Sequence, residues 1–176
     1  VDEIRAFPLK ACAESLALPI SLLFRLSMSM GQVPSQWKEA NISPIFKKGS
    51  RLEPANYRPV SLTSIICKIM ESIVRDALLE YMDMESLITP NQHGFMRQKT
   101  CTTNLLETLD MITSSLTRGC QVDVIYLDFL KAFDTVPHNR LLYKLEQYGI
   151  KNDLNRWFES FLTGRRQRVV LGTVVS

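Results

Sequence analysis

The sequence is poor in the residues that build metal clusters and disulfide frameworks. Its 176 residues include four cysteines (Cys12, Cys67, Cys101 and Cys120) and two histidines (His93 and His138). No two cysteines form a CxxC pair, and neither histidine stands at ligand spacing from them, which argues against a zinc site. The scatter fits reduced core or surface thiols of an intracellular protein, in nucleus or cytoplasm. Long apolar runs are also missing. The longest near the start, LALPISLLF, falls far short of the roughly 20 residues a membrane span needs. Arg5 and Lys10 ahead of it are offset by Asp2, Glu3 and Glu14, so no signal peptide is evident. There is no GxxxxGK[ST], which excludes a P-loop, and no GxSxG, which excludes a nucleophile elbow. No internal repeat or low-complexity segment interrupts the chain. It begins with Val1 rather than methionine and reads as a fragment.

What is present is globular. Hydrophobic residues make up 45% and charged residues 22%, enough for a real core in one domain or a domain and a half. The net charge of +3 is mildly basic and does not by itself specify a nucleic-acid partner.

Periodicity gives a helix-rich α+β pattern. Residues 9–30 read as helix, with Leu16, Ile20, Leu23, Phe24 and Met28 on one face and Pro19 expected to kink or delay it. EANISPIFKKG and NYRPVSL read as two strands of a hairpin with a longer loop, and Pro44 and Pro59 mark them as edge or irregular strands. Thr63 or Ser64 caps a helix running to about Asp83. TPNQHGFMRQKT reads as a loop. A helix from about Thr102 to Thr117 is expected to turn Leu105, Leu106, Leu109, Ile112 and Leu116 inward, with Gly119 closing it. Residues 121–129 read as a strand. Pro137 opens a helix stopped by Gly149, Asn152 caps a last helix stopped by Gly164, and RRQRVVLGTVVS reads as a final strand. Trp37, Trp157 and Phe158 are expected in the core rather than as base-stacking platforms.

The strand 121–129 ends in a carboxylate. Alternation places Val124, Tyr126 and Asp128 on one face. A carboxylate there is costly unless it is paired, hydrogen-bonded or metal-bound. Two readings stay open: a ligand for a hard cation such as Mg2+, or an aspartate that caps the following turn. A phosphatase-type nucleophile would want a second acid two residues on, where Leu130 stands. Cations cluster at Lys47, Lys48, Arg51 and Arg58, at Arg97 and Lys99, and at Arg165, Arg166 and Arg168. Each cluster suits either a solvated surface or a phosphate-rich ligand.

Three blocks in order carry a resemblance: WKEANISPIFKKGSRLEPANYRPVSLTS, QHGFMRQKTCTTNLLETL and YLDFLKAFDTVPHNRLLYKL. Together they resemble the reverse transcriptase domain of non-LTR, LINE-type and jockey-like retrotransposons, over about Val33 to Ser176. The resemblance implies a right-hand polymerase fold of which this chain holds the fingers and the first part of the palm, ahead of the paired-aspartate hairpin and the thumb. Residues 1–32 would be a helical extension, 33–120 fingers and 121–176 partial palm. It implies RNA-directed DNA synthesis by two-metal nucleotidyl transfer, with Mg2+ or Mn2+ as cofactor and an RNA template, a DNA primer and dNTPs as partners. By resemblance, Asp128 is the catalytic and metal-binding aspartate and the Phe129 carbonyl a further ligand. Lys47 or Lys48, Arg58, Lys131, Ala132 and Phe133 would bind the nucleotide, with Phe133 as the ring that excludes a 2′-hydroxyl. Gln92, Gly94, Phe95, Arg97 and Lys99 would face the template. Asp134 would stabilise the turn before Pro137.

The chain departs from the usual G-F-R-x-G-R-S block at Met96, Gln98, Lys99 and Thr100. No Asp-Asp pair occurs, so residues 1–176 alone are expected not to polymerise. The alternative reading is an inactive relic with at most non-specific nucleic-acid binding. A viral RNA-dependent RNA polymerase is disfavoured by Phe133.

Overall fold

The structure is a computed structural model that describes Ile4, residues 6–172 and residues 174–176. Asp2, Glu3 and Arg5, which enter the charge argument above, and Thr173, inside the expected last strand, lie outside the described residues. The chain divides into two compact units. The first comprises the chain up to Leu78 together with Val136–Ser176, and the second is Leu79–Thr135.

In the first unit the expected hairpin forms. Strands β1 (Glu39–Phe46) and β2 (Tyr57–Leu62) pair antiparallel from Asn41↔Leu62 to Phe46↔Tyr57. β1 also pairs in parallel with β3 (Arg166–Leu171), which pairs antiparallel with β4 (Val174–Val175), giving the order β2-β1-β3-β4. β1 is therefore an interior strand, not an edge. Pro44 is tolerated because β3 covers β1 only as far as Ile42, and because Pro44 faces Pro59 across the hairpin. Two residues without N–H groups thus share one rung.

The helices of this unit supply its core. α1 (Ala6–Ala11) and α2 (Ala13–Met30) are separated at Cys12, and Pro19 lies inside α2 rather than at a break. A 3-10 turn (Ser35–Lys38) leads into β1, α3 (Ile65–Met84) follows β2, and α5 (His138–Gln147) and α6 (Asn152–Leu162) precede β3. Ser64 caps α3, its hydroxyl accepting from the Cys67 amide at 3.3 Å. Asn152 does not cap α6. It is the first helical residue, in left-handed backbone at φ 55°, and Lys151 stands at the cap without a side-chain bond. Val33, Trp37, Cys67, Met70, Val74 and Trp157 form the core, flanked by Phe24, Met28, Ile66, Phe158 and Phe161. Trp157 stacks on Phe161, and its indole N–H donates to Ser27 Oγ at 3.0 Å. Both tryptophans are core residues, as expected. Gly31 ends α2 at φ 60°, where an added Cβ would lie 2.9 Å from Arg156 Cβ, so glycine is required for position and for space.

The second unit has no sheet. It holds the end of α3, an irregular loop, α4 (Cys101–Thr117) and the segment 118–135. α4 has a complete capping box: Thr100 Oγ1 accepts from the Thr103 amide, and Thr103 Oγ1 from the Thr100 amide. Its expected inward face is not buried. Leu105, Leu106, Leu109 and Leu116 are exposed, because nothing among the described residues covers them. Residues 121–129 form no strand, against expectation. A strand exists through a neighbour that takes its backbone groups, and no described segment pairs with this one.

Candidate functional site

The residues singled out above fall into three stretches. The first is the tip of the β1–β2 hairpin. The Lys47 amide donates to the Asn56 carbonyl at 2.8 Å, extending the ladder one step past β1. Gly49 turns the chain at φ 88°, and a Cβ there would meet Asn56 Nδ2 at 2.7 Å. The Arg51 guanidinium sits over the Phe46 ring at 5.3 Å, and the Tyr57 hydroxyl donates to the Arg51 carbonyl. Lys47, Lys48 and Arg58 are exposed and make no ion pair among the described residues. Arg58 faces Ile45 across the hairpin. The tip is thus a braced turn carrying uncommitted cations.

The second stretch is the loop before α4. It is held by its own polar groups. Gln92 Nε2 donates to the Gly94 carbonyl at 3.2 Å, the Gln92 amide to the Thr89 carbonyl, and the Lys99 ammonium to the Pro90 carbonyl. Gln92 and Lys99, expected to face a template, are therefore spent within the loop. Phe95 and Gln98 adopt left-handed backbone at φ 63° and 61°. Gln98 stands where the resemblance leads one to expect glycine, and the backbone keeps the glycine-like conformation. Phe95 and Arg97 are exposed, and Gly94 has open space at its Cβ position.

The third stretch contains Asp128. The segment from Val124 to Phe133 is exposed throughout. Asp128 has no hydrogen-bond partner among the described residues, which removes the turn-capping reading. A tight turn follows, with Lys131 at φ 51°. Its Lys131 carbonyl accepts from the Asp134 and Thr135 amides, at 2.9 and 3.1 Å, and from the Thr135 hydroxyl. The hydroxyl of Thr135, which sequence reasoning passed over, does the work expected of the Asp134 carboxylate. The second and third stretches meet: the rings of Phe95 and Phe133 lie edge to face, centroids 6.0 Å apart.

Comparison with known proteins bears on all three stretches at once. The sequence profile described as reverse transcriptase (RNA-dependent DNA polymerase) matches residues 45–175. The chain belongs to the reverse transcriptase family. It is similar to a probable RNA-directed DNA polymerase from transposon X-element of Drosophila melanogaster, 29% identical over 99% of this chain and 19% of the relative. The RNA-directed DNA polymerase from mobile element jockey of the same fly is 31% identical over 73% of this chain and 14% of its own length. A Pol polyprotein from the type-1 retrotransposable element R2 of Popillia japonica is 26% identical over 84% of this chain and 20% of its own. The chain thus spans about a fifth or less of these relatives.

Reverse transcriptases use divalent metal ions, so the donor set here can be tested for fit. Among the described residues no group of three or more His, Cys, Asp or Glu side chains converges. Asp128 is one carboxylate, and a Mg2+ cage is built from several oxygens. These residues by themselves do not fit a two-ion centre. Among the described residues, no helix is long and apolar enough to cross a membrane.

One residue of the second unit has no counterpart in the sequence reading. His93 is its one buried residue, and no spacing rule singled it out. Its Nδ1 lies 3.1 Å from the Asn91 carbonyl. Its Nε2 lies 3.4 Å from Glu107 Oε1, an ion-pair distance without hydrogen-bond geometry, which leaves that nitrogen unsatisfied.

Proposed function

We propose that this chain is part of an RNA-directed DNA polymerase of a non-LTR retrotransposon and contributes residues to its nucleotide and template sites. In this reading residues 33–120 are fingers, 121–176 the first part of a right-hand palm, and 1–32 a helical extension. RNA template, DNA primer and dNTPs are the ligands. The observation that carries the reading is the Phe95–Phe133 contact, which joins the two family-like blocks 92–99 and 126–134 inside one unit.

The chemistry assigned to each residue comes from the family resemblance, and the exposure of these residues supports it. Lys47, Lys48 and Arg58 offer exposed, unpaired cations to a triphosphate. By family resemblance the backbone N–H groups at Lys131 and Ala132 would meet the triphosphate in the parent polymerase, and the Phe133 ring would discriminate against a 2′-hydroxyl by volume. Arg97 and the Phe95 ring meet the template, while Gln92, Gly94 and Lys99 shape the loop that presents them. Asp128 and the Phe129 carbonyl would supply two oxygens toward a divalent-ion site of the parent polymerase, a site these residues by themselves do not complete.

Binding of an RNA–DNA primer–template, followed by anisotropy across a salt series, tests the reading. The logarithm of the affinity is expected to fall linearly with log salt, with a slope of roughly 0.9 per phosphate neutralised. Arg58→Ala should lower that slope by about one. Salt-independent binding would overturn the reading. Primer extension by this chain alone is expected to be absent, and Mg2+-dependent extension abolished by Asp128→Ala would show that the metal site is complete after all.

A further inference from the structure

The arginines that lead β3 do not share one fate. Arg165 is spent: its Nη1 donates to the Phe161 carbonyl at 2.9 Å, and its guanidinium lies over the Phe161 ring. Arg168 is held differently. Its Nε donates to Asn41 Oδ1 at 2.8 Å, across the parallel ladder that pairs Arg168 with Asn41. A guanidinium carries N–H donors on Nη1 and Nη2 as well. Those of Arg168 have no partner among the described residues. Asn41 offers a neutral amide. It fixes the plane of the fork and leaves the charge intact, where a carboxylate would have cancelled it.

Register brings this cation to the open face of the sheet. Ala40 and Ile42 are buried, so the odd-numbered residues of β1 point the other way. On that face Asn41 neighbours Arg168, Glu39 neighbours Arg166 and Ile45 neighbours Arg58. Lys47 stands one step further, where its amide continues the ladder. Among the described residues of this face Glu39 is the one acid, and it lies at the end of β1 away from Arg58. From the Arg168 rung to the Arg58 rung, about 13 Å at roughly 3.3 Å per residue, no carboxylate intervenes.

We propose that this sheet face binds the phosphodiester backbone of a single nucleic-acid strand, with the Arg168 fork as a phosphate contact and a path that runs on toward Arg58 and Lys47. Asn41 is a positioning residue, since it acts through Arg168. A fork on phosphate is blind to the bases, so the contact carries no sequence preference. Naming that strand the template rests on the polymerase reading; the phosphate contact does not.

The test is anisotropy of the whole chain with labelled oligouridylate of about 16 nucleotides, and with oligothymidylate of equal length, across a salt series. Asn41→Asp keeps an acceptor for the Arg168 Nε but cancels its charge. It is expected to lower the slope of log affinity against log salt by roughly 0.7, the value of one phosphate on a single strand. Low-salt affinity should fall about tenfold, the order of one charge-assisted hydrogen bond. Arg168→Ala should match it. Arg168→Lys should restore the slope and only part of the affinity, because it returns a charge without a fork. Gln167→Glu adds one negative charge to the opposite face of β3 and should leave the slope unchanged. Melting followed by circular dichroism keeps folding separate, and Asn41→Asp should melt no lower than the parent chain. A bond that only ties β3 to β1 would show in the melting of Arg168→Ala and leave binding untouched, which overturns the proposal. So does a loss in Asn41→Asp that Gln167→Glu reproduces, which is net charge alone. A loss confined to one oligonucleotide would mark a sugar contact, and a loss seen with dTTP but with neither oligonucleotide a triphosphate site; either overturns the strand path. Steeply salt-dependent binding unmoved by Arg168→Ala overturns the sheet face and leaves the polymerase reading standing. A parent chain that binds neither oligonucleotide overturns both.

Discussion

Single residues sort by whether the fold or the chemistry depends on them. Trp157 is 1% exposed and touches Phe158 and Phe161, while its indole N–H depends on Ser27. Trp157→Ala removes a large buried ring and leaves a cavity, so a loss of about 3–5 kcal/mol is expected in denaturant unfolding followed by circular dichroism. Ser27→Ala keeps the packing but orphans the indole nitrogen, which costs about 1–3 kcal/mol. Asp128→Asn should shift the same transition by no more than about 0.5 kcal/mol, since its carboxylate is exposed and unbonded. If Asp128→Asn proved as destabilising as Ser27→Ala, the carboxylate would have a structural partner and its assignment as a free metal ligand would fall.

At the level of elements, the sequence was legible wherever an element closes its own contacts. The β1–β2 hairpin, the Ser64 cap and helices α3 to α6 come from local signals: alternation, turn residues and apolar periodicity. Two readings failed for one physical reason. Residues 121–129 have the alternation of a strand and α4 has the stripe of a packed helix, but both patterns describe a demand for a partner rather than the partner itself. Asp128 and the basic hairpin tip stand out in the sequence by residue type and are exposed in the structure, whereas the burial of His93 beside Glu107, fourteen residues away, is encoded by no periodicity. The loop between α3 and α4 yields a prediction of its own. Gln98 holds left-handed backbone, a conformation costing a side-chain-bearing residue about 1–2 kcal/mol. Glycine loses more entropy on folding, about 0.5–1 kcal/mol, so Gln98→Gly should stabilise the loop by a net of about 0–1.5 kcal/mol. Increased amide protection at Met96 reads this out directly. Reduced protection would mean that the Gln98 side chain makes a contact worth more than the strain.

At the scale of the molecule, the exposed run Ile125, Tyr126, Leu127, Phe129 and Leu130 dominates behaviour in solution. Each of these side chains is more than 80% exposed, and each belongs to a segment without ladder partners. A six-residue stretch that carries five such side chains and no proline makes a template for intermolecular pairing. Their covering is what the strand-like pattern demands, and a second copy of the chain offers the same demand in return. The net charge of +3 is too small to keep copies apart. Concentration-dependent association is therefore expected in light scattering, reduced by Leu127→Lys and by added glycerol less than by that single charge. Asp123 precedes the run and Asp128 interrupts it, two charges that oppose stacking as gatekeepers do. Asp128→Asn should then associate more strongly than the parent chain at equal concentration, although its folding stability is unchanged. Asp128 would carry two duties, a ligand in the assembled polymerase and a guard on an uncovered strand before assembly. A monomeric parent chain at high concentration, with Asp128→Asn indistinguishable from it, would show that the run is covered in solution and that the aspartate guards nothing.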